Sequence, residues 1–321
     1  YYVRSGDLMG KYFERLVSED INVGGEFYAS SAVDLMAQAG LKVGVYEIFH
    51  FMQWGTPQDL EEYLFWSDSF TRLSYIIDSE LSISGTGNAL VLASGKGSRF
   101  SEKGYQTPKP LLRVTGASLV EQVLSICESD MKHSVSITES MNITAHLPED
   151  VDLVTLREVS EGQAKSTNIA LNKLTSWPNS RFTVFPSDTL FAHRSSQLAE
   201  LCEEMPGQRY LVAWVSSPSP FAERTPESFG WIIQRETRFE SFIKQNPSSS
   251  SAKVLTGAFT FSSQEDFRTL YEALLEREVR VNGEYYLDSL VEIAQDLGFI
   301  VSVFEPEFCM SLGTPYEFET F

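Results

Sequence analysis

The sequence predicts an α/β fold over residues 88–321, a Rossmann-like mixed sheet, mainly parallel and flanked by helices, preceded by a partial repeat of its own C-terminal part. Three observations carry that prediction. Strand-like and helix-like hydrophobic patterns alternate from Ala89 onward, the order that builds a parallel sheet with helices on its faces. A loop with two glycines, Gly95 and Gly97, directly follows the first strand, at the edge where such sheets hold ligands. The stretch 23–63 matches 281–321 without gaps at about 15 of 41 positions, far beyond chance.

Taken in order, the apolar run 89–93 reads as a strand, followed by a long loop and a helix over 118–127. Strands 135–138 and 153–157 come next, then helix 162–174, strand 182–185, helix 196–204 and strand 210–215. The region 230–261 reads as antiparallel strands, and the tail after it as helix, helix, strand.

The repeat has a constant offset of 258 residues. Val23-Gly24-Gly25-Glu26-Phe27-Tyr28 returns as Val281-Asn282-Gly283-Glu284-Tyr285-Tyr286, and Trp54-Gly55-Thr56-Pro57 returns as Leu312-Gly313-Thr314-Pro315. An amphipathic pattern at 12–16 pairs with 270–274. Residues 1–66 are therefore expected to be the C-terminal remnant of a preceding copy, and 67–87 a helical exit and Ser/Gly linker. The complete domain would occupy 88–321, cut just after the Gly-Thr-Pro motif, in a fragment of a longer tandem protein. The apolar face of the first copy calls for a partner, either the complete domain or a second chain, so a homo-oligomer is one expected arrangement.

Composition narrows the function. With 42% hydrophobic and 21% charged residues the chain has the make-up of a soluble globular protein. A net charge of −19 disfavours nucleic acid, whose binding draws on clustered Lys and Arg. No apolar run suits a membrane span, and no basic region followed by an apolar segment opens the chain. Cys127, Cys202 and Cys309 lie far apart, and the four histidines, His50, His133, His146 and His193, lack metal-ligand spacing, so zinc is not expected. These features suggest a cytoplasmic setting with reduced thiols. The Asn142-Ile143-Thr144 triplet fits a glycosylation sequon without further support.

The loop 94–112 concentrates the chemistry. In Ser94-Gly95-Lys96-Gly97-Ser98-Arg99-Phe100 the glycines permit tight turns and bare amides that can face phosphate oxygens. It is neither a Walker A loop nor a dinucleotide fingerprint, because Gly97 follows Lys96 and Phe100 stands where a third glycine would be. The continuation Thr107-Pro108-Lys109-Pro110-Leu111-Leu112 flanks one lysine with two prolines, which lowers the entropy lost in presenting that cation.

Together these segments resemble the sugar-1-phosphate nucleotidyltransferases, the NDP-sugar pyrophosphorylases, whose opening motif reads approximately A-[AG]-G-x-G-[ST]-R-F, a spacer, then P-K-P-L. The resemblance covers Asn88 to Phe321 and implies the GT-A-like nucleotidyltransferase form of the fold. It implies that Ser94, Gly95, Gly97 and Ser98 hold the nucleotide, that Arg99 neutralises the β/γ-phosphates, and that Lys109 approaches the α-phosphate. It further implies that Gly162 and Gln163 contact the base, that Asp188 binds Mg²⁺, and that Gly230, Lys244 and Glu284 form the sugar-phosphate site. The expected reaction joins a sugar 1-phosphate to a nucleoside triphosphate by in-line displacement of pyrophosphate, without a covalent enzyme intermediate.

Three departures qualify it. Ser311-Leu312 stand where many relatives have a second metal-binding aspartate, Ile243 replaces the Glu that usually precedes the lysine, and the interval 139–152 is short. Two other readings therefore stay open: transfer to a non-sugar phosphate such as phosphocholine, and a non-catalytic copy that binds nucleotide sugars and regulates its neighbour.

Overall fold

A computed structural model describes residues 1–48, 51–77, 83–128, 130–141, 147–148, 151–193 and 196–321. His50, His146, the Asn142-Ile143-Thr144 triplet and much of the 139–152 interval lie outside the described residues. The chain divides into two compact units, Tyr1–Gln53 and Trp54–Phe321. The segment 57–77 is one continuous helix within the second unit.

The first unit is a helical hairpin. Helix α1 (Gly6–Ser18) is capped by Ser5, whose side chain accepts from the Leu8 amide and satisfies one of the orphan donors of the first turn. It packs through Tyr12 and Leu16 on Ala32, Leu35 and Met36 of helix α2 (Ala29–Gln38). The apolar positions recur at helical spacing, so one stripe of each helix is covered and the rest is solvated.

The second unit opens with helix α3 (Pro57–Ile77), then strand β1 (Asn88–Leu92), a short helix α4 (Ser98–Glu102) and the small hairpin of β2 (Arg113–Val114) and β3 (Ala117–Ser118). Helix α5 (Leu119–Ser125) starts at a capping box in which Ser118 and Glu121 satisfy each other's amides. There follow β4 (His133–Thr138), β5 (Asp152–Leu156), α6 (Gln163–Lys173), β6 (Phe182–Pro186), β7 (Thr189–Ala192), α7 (Gln197–Glu203) and β8 (Tyr210–Ser216). The remainder is α8 (Pro220–Arg224), β9 (Gly230–Arg235), β10 (Arg238–Ile243), β11 (Lys253–Phe261), α9 (Gln264–Glu276), α10 (Leu290–Asp296), β12 (Ile300–Phe304), β13 (Phe308–Ser311) and α11 (Pro315–Thr320). No described helix is long and apolar enough to cross a membrane.

The main sheet runs β10-β9-β11-β6-β1-β4-β5, with β8 beside β11 and β12 beside β8. It is mixed, as expected. Strands β6, β1, β4 and β5 are parallel, while β11 is antiparallel to β6, β8 and β9. Strand β12, from the tail, runs parallel to β8. The central strands read as unbroken apolar runs because they are buried on both faces: Leu90, Val91, Phe182 and Val184 are all fully covered. Covering each such side chain contributes roughly 1.5–3 kcal/mol, so trimming Phe182 to Ala would be among the most damaging core changes.

One irregularity positions the site. Strand β11 pairs with β6 through Phe259–Phe261 but with β9 through Lys253–Leu255, and its register against β8 shifts between Leu255 and Phe259. Gly257 sits in that bulge at a φ of +82°, a conformation that only glycine adopts without strain. The exchange of partners falls beside Pro186, the last residue of β6, which lies 3.5 Å from where a Gly257 side chain would begin. Sequence reasoning found the strands on either side and missed β7 and β13. These two pair with each other, Ser311 opposite Thr189, and so bring the tail's Gly-Thr-Pro motif to the end of β6.

Candidate active site

Each predicted site residue can be traced to an element. Ser94, Gly95, Gly97 and Ser98 follow β1, and Gly97 takes a left-handed φ of +61° at the start of α4. Their loop lines a pocket of about 400 Å³ with Arg99, Gly162 and Gln163. Lys109 begins a single 3₁₀ turn, preceded by Pro108 and followed by Pro110. Asp188 lies just past β6, in the turn to β7. Gly230 opens β9 and Lys244 follows β10, so these two residues lie at one end of the β9–β10 hairpin. They line a second pocket, of about 260 Å³, which adjoins the first through Arg99, Lys109, Gln163 and Asp188. Pockets of this order hold small ligands, for which ~300–1,000 Å³ is usual.

Lys109 and Asp188 meet at the junction. The Lys109 ammonium is hydrogen-bonded to the Asp188 carboxylate and donates to the Gly313 carbonyl at 3.3 Å. Both side chains are about four-fifths covered, at 20% and 21% exposure, so the pair is partly shielded from water while still open to the cleft. The ammonium also lies 5.6 Å from the centre of the Phe100 ring. Gly313 is small for a reason: a side chain there would begin 3.1 Å from the Asp188 carboxylate. The backbone amide of Leu312 donates to the Asp188 carbonyl at 2.8 Å, which fixes the tail to the strand end.

The turn before α6 is built from two remote segments. A side chain on Gly162 would lie 2.4 Å from the Tyr285 carbonyl oxygen, and the φ of +102° excludes one independently. Tyr285 donates to the Glu161 carbonyl at 2.8 Å and accepts from the Ala164 amide at 3.0 Å, which clamps the start of α6 to the tail. Gln163 Oε1 is buried without a hydrogen-bond partner, an acceptor between the two pockets. Ser94, buried, lies 3.5 Å from the Ser166 hydroxyl, which in turn contacts Ser160 at 2.6 Å. The extra hydroxyl at position 94 is thus absorbed into a serine network behind the loop.

Two carboxylates lie beside these pockets. Glu284 lines the loop-side pocket, its backbone held in the Val281–Glu284 turn beside Glu161 and Gly162. Its carboxylate accepts from the Tyr286 hydroxyl at 2.8 Å. The carboxylate that meets Gly230 is Asp288: a side chain on Gly230 would begin 2.0 Å from its Oδ2, so Gly230 is the space Asp288 occupies. Burial pushes the Asp288 carboxyl up to about 6, against the pull of Lys244. Burial likewise lowers the Lys244 ammonium, with Arg99 repelling it and Asp288 and Glu284 opposing the shift. Lys244 donates to the Ser228 carbonyl at 2.9 Å. Asp288 went unnoticed in the sequence although it lies four residues beyond Glu284, where the repeat has Ser30 in its place.

The site thus has two adjoining pockets, a glycine loop on one side and buried charge on the other, with a cation and a carboxylate between them. The chain belongs to the family of the MobA-like NTP transferase domain, whose model matches residues 89–276. Among its relatives is the bifunctional protein GlmU of Lactobacillus delbrueckii subsp. bulgaricus, 27% identical over 237 residues that cover 70% of this chain and 48% of the relative. The bifunctional protein GlmU of Staphylococcus haemolyticus is 26% identical over 219 residues, covering 64% and 45%. The chain thus spans about half the length of the curated relatives it matches.

Solved structures with the same fold include a nucleoside-diphosphate-sugar pyrophosphorylase from Vibrio cholerae RC9. It has a TM-score of 0.58 and 18% identity over 72% of this chain and 98% of that one. The inositol-1-phosphate CTP transferase from T. maritima gives a TM-score of 0.54 and 19% identity over 73% and 92%. A putative glucose-1-phosphate thymidylyltransferase from Bacillus anthracis gives 0.56 and 16% over 73% and 92%.

Proposed function

We propose that the protein joins a nucleoside triphosphate to a sugar 1-phosphate, forming an NDP-sugar and pyrophosphate. The observation that carries this reading is the Lys109–Asp188 pair at the junction of two pockets, with Arg99 lining both and Lys244 in the acceptor-side pocket. A phosphate oxygen of the acceptor attacks the α-phosphorus, the bond to the β-phosphate breaks, and pyrophosphate leaves with its electron pair. Lys109 and Arg99 offset the negative charge that develops at the α-phosphate and on the leaving group, in a cleft where such charges act strongly. The loop amides between Gly95 and Ser98 hold the triphosphate, and Gln163, which lines the same pocket, contacts the base. Lys244 neutralises the acceptor phosphate.

The residues fit Mg²⁺ held by one carboxylate and by substrate phosphates, a usual arrangement for that ion. Asp188 is the ligand in this reading, and among the described residues no cluster of three acidic, cysteine or histidine side chains offers an all-protein cage. When bound, the ion would neutralise and orient phosphate oxygens. Nucleic acid and membrane are not partners in this reading.

The acceptor-side pocket also carries aromatic rings, including Phe221, Phe229 and Tyr316, which keeps a non-sugar phosphate such as phosphocholine as a second acceptor class. Pyrophosphate release, measured over a panel of nucleoside triphosphates against sugar 1-phosphates and phosphocholine with Mg²⁺, tests the proposal. Turnover with a sugar 1-phosphate is expected. Nucleotide-sugar binding without turnover of any pair would instead assign a regulatory role.

A further inference from the structure

Helix α3 lies outside residues 89–276, yet Glu62, Phe65 and Trp66 line the acceptor-side pocket together with Gly230 and Lys244. Two anchors hold it there. Phe65, Trp66 and Leu73 pack against the apolar cluster of Phe100, Leu112, Leu190, Met310 and Leu312, the cluster under both the glycine loop and the Gly313 turn. Glu62 is engaged at both oxygens: Arg224 of α8 donates to one at 2.7 Å, and the Tyr316 hydroxyl of α11 donates to the other. Tyr316 in turn stacks on Phe221, with centroids 5.1 Å apart and planes at 28°.

The pocket is chemically graded. Its cations, Arg99, Lys109 and Lys244, draw the acceptor's phosphate, whereas the α3 side chains add rings and an already neutralised carboxylate. Such a wall suits the uncharged body of an acceptor, which aromatic faces cover well. A partly exposed ion pair adds only about 0–1 kcal/mol to global stability. The consequence of the Glu62 contacts is therefore where they hold Phe65 and Trp66, more than how firmly they hold the fold.

We propose that helix α3 completes the acceptor site, with Phe65 and Trp66 covering the body of the acceptor and Glu62 as the residue that positions them. The inference rests on the acceptor reading above, so the experiment separates the two. Glu62→Gln is expected to raise the KM for the acceptor about fivefold while kcat and the KM for the triphosphate stay within about twofold. The exchange Glu62→Arg with Arg224→Glu is expected to bring the acceptor KM back. Tryptophan emission, titrated with glucose 1-phosphate, N-acetylglucosamine 1-phosphate and phosphocholine, reads the pocket without turnover, and its change is expected to vanish in Trp66→Phe. An emission change lost in Trp66→Phe, without pyrophosphate release from any pair, supports the α3 wall and overturns the nucleotidyl-transfer proposal. Turnover with unmoved KM values, with both KM values moving together, or with emission indifferent to Trp66 overturns the wall and leaves the reaction standing. Silence in both assays overturns both.

Discussion

The sequence-matched stretches 23–57 and 281–315 share their local structure and differ in almost everything that depends on neighbours. Both form the same turn, with bridges Val23 to Glu26 and Val281 to Glu284, and in both a tyrosine hydroxyl donates to the turn glutamate, Tyr28 to Glu26 and Tyr286 to Glu284. Serines one offset apart, Ser5 and Ser263, cap the preceding helices. Both Gly-Thr-Pro motifs start a helix through threonine side-chain caps, Thr56 with Asp59 and Thr314 with Glu317.

Beyond that the two part. Tyr285 is 5% exposed and Phe304 2%, while their counterparts Phe27 and Tyr46 are 43% and 88% exposed. Residues 300–304 form β12 against β8, whereas 42–46 form no strand. Turns and caps close within a few residues and need no partner, but a strand exists only where another strand satisfies its backbone. The comparison teaches that the tail motif is a portable local shape whose chemistry depends on what it is packed against.

The largest expected effect breaks the comparison at the residues only one copy meets. Asp188, reached by Gly313 and Leu312, is removed in Asp188→Ala; pyrophosphate release should fall by roughly 10²–10³-fold, with the thermal midpoint nearly unchanged. Wild-type turnover in that variant would sink the site assignment. Next in size is the clamp between Gly162 and Tyr285. Gly162→Ala places a methyl 2.4 Å from a carbonyl oxygen and should cost several kcal/mol in urea unfolding, of the order of 3. Gly25→Ala and Gly283→Ala, with φ of +86° and +81° and open space around them, should each cost only about 1 kcal/mol. Similar losses for all three would show that the clamp contributes little.

A smaller effect is readable in pH. The Asp288 carboxyl is held at about 6, above the ~3.9 of an unfolded chain. The native state thus binds this proton more tightly, so its stabilisation is complete below about pH 4 and disappears as pH rises through 6. Asp288→Asn should gain on the order of 2 kcal/mol at pH 8 relative to wild type and little at pH 4. The counterpart change Ser30→Asn, at an exposed position, should show no such slope. The smallest effect sharpens the likeness: Thr56→Ala and Thr314→Ala should each cost about 1 kcal/mol of local helix stability, read by hydrogen exchange at the first turns of α3 and α11. A much larger loss for Thr314 alone would mean that its cap also seats Gly313 beside Asp188.

Much of this was legible in the chain. The strands around Leu90, Val135, Val184 and Val212 and the helices after Ser118 and Gly162 followed from pattern, because buried parallel strands are short apolar runs and their helices carry a 3.6-residue stripe. Arg99, Lys109, Asp188 and Lys244, flagged by one loop motif and by the order of the matching segments, line one pocket. Asp288 escaped because nothing local distinguishes a carboxylate that ends beneath Gly230 from one that faces water. Helix α3 escaped as a wall of the pocket for the same reason: Glu62 meets Arg224 and Tyr316 only through the fold.

By itself, then, the sequence determined the order of the main strands and helices, the caps, the positive-φ glycines and the loop that carries Lys109, since each depends on residues close together in the chain. Only the tertiary structure decided that Gly162 is clamped by Tyr285, that Glu284 and Asp288 fall in different pockets, and that one of two matching tails meets a lysine and an aspartate. Those outcomes depend on burial and on contacts between segments far apart in the chain, whose cost and gain appear only when the sheet has closed.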